Sequence, residues 1–85
     1  MGIYSIEWGG RAQKELRRIG PQHGRRILDA VQKLADDPMP DGCRKLRGLK
    51  NEYRIRIGDY RVIYEIGQDV IMIHKVGHRR DVYRP

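Results

Sequence analysis

Cysteine occurs once in these 85 residues, at Cys43, so an internal disulfide and an extracellular disulfide framework are both excluded. No apolar run approaches the length of a membrane span, and the start, Met1-Gly2-Ile3-Tyr4, carries neither a basic region nor an apolar one behind it. Gly2 opens a myristoylation pattern, but Ile6 stands where that pattern needs Ser or Thr. No membrane partner and a cytosolic location are therefore expected. Repeats, linkers and low-complexity tracts are also missing, which leaves a single domain over residues 1–85 with one modest core. Several chemistries lack their parts. There is no Ser/His/Asp arrangement, no pair of carboxylates, and no phosphate-cradling glycine-rich loop between a strand and a helix. His74 and His78 flank a strand end with no carboxylate at ligand spacing, so neither a metal nor a cofactor is expected.

What the chain has in excess is positive charge. Its formal net charge is +7, and 34% of its residues are charged. A solvated basic surface accounts for part of this. The partner it favours is a polyanion, nucleic acid first and an acidic protein segment second.

The segment Tyr53-Arg54-Ile55-Arg56-Ile57-Gly58-Asp59-Tyr60-Arg61-Val62-Ile63-Tyr64 reads as two alternating strands around a Gly-Asp turn. With Gly58-Asp59 as a two-residue loop, Ile57 faces Tyr60, Arg56 faces Arg61, Ile55 faces Val62 and Tyr53 faces Tyr64. One face is then apolar and aromatic, and the other carries Arg54, Arg56 and Arg61. Like charges directly opposite one another destabilise a strand pair. An anion between those guanidiniums, most naturally a phosphate, would relieve the repulsion.

Around this hairpin, Ile3 to Trp8 alternates as a first strand, closed by Gly9-Gly10. Ala12, Leu16 and Ile19 share one helical face between Arg11 and Ile19, with Arg11, Lys14, Arg17 and Arg18 off it. Gly20-Pro21 ends that helix and starts another, whose stripe is Ile27, Leu28, Val31, Leu34 and Ala35. Asp37 to Gly42 is a connection, Gly67-Gln68-Asp69 a second turn, and Val70 to Val76 a final strand. The expected fold is α+β, ordered β-α-α-β-β-β: an antiparallel sheet with a helical hairpin on one face and nothing covering the arginine-bearing other face.

Cleavage of RNA by its own 2′-hydroxyl needs a base, an acid, and cations to stabilise the charge developing on phosphorus. Arginine supplies the cations but stays protonated, so proton transfer falls to other residues. Histidine is the side chain suited to proton exchange, which makes His78 a candidate, and Tyr83 could orient or deprotonate a 2′-hydroxyl. Each has a plainer reading: ordinary strand arginines, a loop histidine, and a tyrosine that packs the chain end. Lys45, Arg47, Lys50 and Arg80, with Arg11 and Arg18 on the first helix, form a wider basic surface that could follow an RNA backbone or simply be solvated.

Three stretches give the chain a family likeness: Lys45-Leu46-Arg47-Gly48, the hairpin itself, and Val76-Gly77-His78-Arg79-Arg80-Asp81-Val82-Tyr83. With the helix pair before them, the chain resembles RelE-type toxins of the RelE/ParE superfamily nearly from end to end. The resemblance implies a microbial-ribonuclease-like RelE fold and a metal-independent mRNA endonuclease acting in the ribosomal A site. It implies basic site residues at Arg54, Arg56, Arg61 and Arg79, a catalytic tyrosine at Tyr83, and His78 as an acid. Lysines stand at the first two of those positions in the best-characterised RelE. It further implies a RelB-like antitoxin, binding by an acidic segment, and indirect DNA contact through the toxin–antitoxin repressor complex. The other branch of the superfamily implies a ParE-like inhibitor of DNA gyrase with no nuclease activity.

Overall fold

A computed structural model describes residues 3–48, 50–80 and 82; Gly2 and Tyr83, both singled out above, lie outside them. The elements are β1 (Ser5–Trp8), α1 (Gly10–Ile19), α2 (Pro21–Lys33), β2 (Arg44–Lys45), β3 (Glu52–Ile57), β4 (Tyr60–Ile66) and β5 (Val70–His78). They build one sheet in the order β1-β5-β4-β3-β2, with the two helices against one face. The expected α+β order holds with two differences. β1 joins β5 in parallel, Ser5 opposite Val70 through Trp8 opposite Ile73, so the sheet is mixed. A two-residue β2 is added at the far edge, where Arg44 and Lys45 pair with Arg54 and Tyr53.

The hairpin register is the one its alternation dictates: Tyr53 opposite Tyr64, Ile55 opposite Val62, Arg56 opposite Arg61 and Ile57 opposite Tyr60. Gly58 takes φ +60°, a value reached without strain only by a residue lacking a Cβ, while Asp59 keeps negative φ. That combination is a type II′ turn, whose twist matches the flanking strands. The next connection, Gly67-Gln68-Asp69, closes with Gly67 N–H donating to Val70 O at 2.8 Å and Asp69 at φ +62°. At the helix junction Gly20 serves both helices. Its φ of +91° turns the chain out of α1, and Pro21 begins α2 where a missing N–H costs nothing.

The core lies between helices and sheet: Ala12, Ile27, Val31 and Leu34 pack on Ile55, Val62, Tyr64, Ile71, Ile73 and Val76. Leu28, placed on the core stripe by its spacing, is 39% exposed on the outer side of α2. Gly24 brings the helices together, because a Cβ there would already touch Leu16 Cδ1 at 3.6 Å. Tyr64 is fully buried and donates its hydroxyl to Pro38 O at 2.6 Å, pinning the connection after α2 to the sheet. Burial pushes its phenol well above the ordinary tyrosine range, so it remains a donor. Tyr64→Phe keeps the ring and loses that bond; chemical denaturation should show a loss of about 1 kcal/mol. β5 runs on past the end of β1, and the Val76 N–H beyond it is taken by the Glu15 carboxylate of α1 at 3.0 Å.

The face away from the helices is not bare, contrary to expectation. Val82 is only 4% exposed and lies over Gly77, with 3.7 Å between Val82 Cβ and a Cβ built on Gly77. Val82 N–H donates to His78 O, and Lys75 Nζ donates to Val82 O at 3.3 Å. Val82 thus packs on β5 at Gly77, and Ile63, opposite Lys75 on the same face, is 6% exposed.

A candidate RNA-cleaving face

Strand pairing arranges the side chains of this second face in rungs. Nearest the hairpin tip, Arg56 and Arg61 stand opposite each other, with Gly77 beside Arg61 on β5. The next rung holds Arg44, Arg54, Ile63 and Lys75. A third holds Glu52, Glu65, Met72 and Glu7. Two cationic rungs therefore adjoin one lined with carboxylates. Both cationic rungs contain a direct arginine–arginine opposition, where the sequence alone pointed to one.

Arg54 is the most constrained of these cations. It is 8% exposed, and its Nε and Nη2 are buried without a hydrogen-bond partner among the described residues. A guanidinium in that condition is costly to a fold, and an anion brought to it would meet two waiting donors. Alternation in the hairpin gives no sign of that burial. Arg61 is half-buried, and its Nη1 donates to Gly58 O and Tyr60 O, both at 3.1 Å. It braces the turn while lying in the outermost rung. Arg56 is exposed beside it. Arg79 is exposed, and its backbone N–H donates to Asp59 O at 2.8 Å, which holds it at the same hairpin tip.

The other predicted site residues are placed elsewhere. His78 is opposite Tyr60, on the helix side of the sheet, where the two rings meet edge to face at 6.0 Å. His23 of α2 lies on the other side of Tyr60, with ring centroids 5.3 Å apart. Arg80 is exposed, and its N–H donates to His78 Nδ1 at 3.3 Å. His78 is thus grouped with Tyr60 and His23, not with Arg54. Lys45, Arg47 and Lys50 are exposed along β2 and the loop after it. Arg11 and Arg18 are exposed on α1, in the helical layer, where Arg11 pairs with Glu15 at 3.4 Å. Tyr83 lies outside the described residues. A groove of about 560 Å³ runs between α2 and the β3 edge that β2 leaves open, lined by Arg26, Lys33, Asp41 and Arg44; it meets the cationic face at Arg56.

Sequence reasoning missed Lys75, Glu65 and His74 as members of this face. Between Tyr64 and Ile63 the β4–β5 register slips by one residue, and His74 is the extra residue on β5. The signal was present: the buried positions of β5 are Ile71, Ile73 and Val76, a step of two and then of three. Such a change of step marks a β-bulge. Beyond it Lys75 turns to the cationic face and Val76 to the core. At the bulge, His74 Nε2 lies 2.9 Å from Glu65 Oε1, with both side chains partly open to solvent.

Comparison with known proteins agrees with this fold. Residues 6–83 match the model of the ParE toxin of type II toxin–antitoxin systems. Toxin RelG of Mycobacterium tuberculosis is 31% identical over 88 residues, covering 95% of this chain and 97% of the relative. Among solved structures, the archaeal RelE–RelB complex from Pyrococcus horikoshii superposes with a TM-score of 0.80 at 32% identity, covering 94% of this chain and 99% of that one. The RelB–RelE antitoxin–toxin complex from Methanococcus jannaschii gives a TM-score of 0.70 at 27% identity, over 91% and 94% of the two chains.

Proposed function

Because this chain belongs to the RelE/ParE family of type II toxin–antitoxin toxins, we propose that it is a ribosome-dependent mRNA endonuclease held inactive by a RelB-like antitoxin. The observation that carries the reading is Arg54: a buried guanidinium with two unused donors, opposite Arg44 and one rung from the Arg56–Arg61 opposition. Such an arrangement opposes folding and favours a bound phosphodiester. Arg54, Arg56, Arg61 and Arg79 would hold the scissile phosphate and stabilise the charge on its equatorial oxygens. Tyr83 would orient the attacking 2′-hydroxyl. No metal is required, since the cations are supplied by side chains. His78, on the far side of the sheet, supports the tip of the hairpin through Tyr60 in this scheme.

The antitoxin partner follows from family membership and from the relatives solved with RelB. Acidic residues of such a partner would meet the basic surface, and the same charge would speed docking on the ribosome in a salt-dependent way. Contact with DNA would be indirect, through the toxin–antitoxin complex.

The test is a purified translation reaction with programmed ribosomes and primer extension on the mRNA. Cuts within the A-site codon that need the ribosome are expected. The matched family model bears the ParE name, which favours one other reading, inhibition of DNA gyrase without nuclease activity. Intact mRNA, together with blocked gyrase supercoiling, would establish that reading instead.

A further inference from the structure

The arginines of the cationic rungs would hold a phosphate but cannot accept a proton, because arginine does not deprotonate, and Lys75 donates its Nζ to Val82 O. His78 is turned to the other side of the sheet. His74 is the imidazole among the described residues that stands on the cationic side, at the seam between the Lys75–Ile63–Arg54 rung and the carboxylate rung. We infer that His74, held by Glu65, is the general base that takes the 2′-hydroxyl proton; the inference rests on the mRNA-cleavage reading above.

Three features place it there. The bulge redirects the side chain out of the β5 alternation, a device found beside active sites. With Nε2–H donated to Glu65 Oε1 at 2.9 Å, Nδ1 is left as a lone-pair acceptor, so the carboxylate selects a tautomer able to receive a proton. And the step of two positions from Ile63, Arg54's partner, to Glu65 spans about 7 Å along β4. A phosphate bound at Arg54 therefore has its ribose close to the seam, while the carboxylate rung repels the rest of the backbone from going further.

The charged groups facing His74 are Glu65 on β4, Glu52 on β3 and Glu7 on β1, with Lys75 on its own strand and Arg54 in the neighbouring rung. In the reaction, the 2′-oxygen forms its bond to phosphorus as the bond from phosphorus to the 5′-oxygen breaks. The 2′-hydroxyl proton passes to His74 Nδ1, and the departing 5′-oxygen takes a proton from water. Glu65 touches no reacting atom and is a positioning residue.

Single-turnover cleavage of ribosome-bound mRNA, measured from pH 5.5 to 8.5, tests this. The parent rate should fall on acidification, because protonation removes the accepting lone pair. His74→Ala and His74→Gln should each be slower by about 10²-fold, should lose that limb, and should regain part of the rate when imidazole is added. Glu65→Gln should be slower by about tenfold with the limb retained. A His74→Gln protein that is folded and cuts at the parent rate, or that is slow yet keeps the limb and ignores imidazole, overturns the assignment. A parent protein that never cuts mRNA overturns the cleavage reading, and the general base with it, and that result is separately visible in the same assay.

Discussion

Arg54→Met should give a protein that is more stable than its parent and nearly inactive. The methionine fills the volume of the arginine stem but removes a buried charge whose Nε and Nη2 have no partner among the described residues. It also removes the repulsion between Arg54 and Arg44 across the β2–β3 pair. Replacing buried charges by apolar groups of similar size stabilises folds by about 1–4 kcal/mol. For a domain of this size each kcal/mol raises the unfolding midpoint by about 4–8 °C. Cleavage, by contrast, should drop by about 10²–10³, the usual cost of one preorganised donor to a developing oxyanion. Thermal unfolding and primer extension on one preparation decide the matter. A less stable Arg54→Met would mean that the guanidinium is satisfied in solution, and full activity would remove it from the phosphate site.

Arg61→Ala should show a different pattern. Its Nη1 braces Gly58 O and Tyr60 O, so truncation should cost about 1 kcal/mol of stability. The cleavage rate should again fall by about 10²–10³. Arg61→Lys keeps a point charge without the planar fork, and should recover only about tenfold of that loss. Salt separates the roles further. If Arg61 acts on the scissile phosphate, lowering the ionic strength should not rescue Arg61→Ala, whereas a mere docking contact would be compensated by stronger long-range attraction. An Arg61→Ala protein as active as the parent would leave the outer rung to antitoxin binding.

The hairpin could be read from the chain because its two constraints agree. Gly58-Asp59 fixes the loop, and a slip of one residue would carry Ile55 and Val62 out of the core. The helices were equally legible, through Ala12–Leu16–Ile19 spacing and the Gly20-Pro21 corner. Features that depend on distant partners were not. Arg44-Lys45 carries no alternation and is a strand only because the edge of β3 lies beside it. The parallel seat of β1 depends on β5, some 65 residues away in the chain. Arg54 looks like any outward strand residue, yet it is buried. Leu28 fits the α2 stripe by spacing, but its face belongs to the outside of the helix pair.

The seat of β1 has a consequence for synthesis. The first strand pairs only with the last, and the first helix reaches the same strand through Glu15 and Val76. The β1 edge of the sheet therefore cannot close until β5 has been made, whereas β2, β3 and β4 can pair before it. Lys75 and His74, which the proposed site draws from β5, join the arginines of β3 and β4 only at that closure.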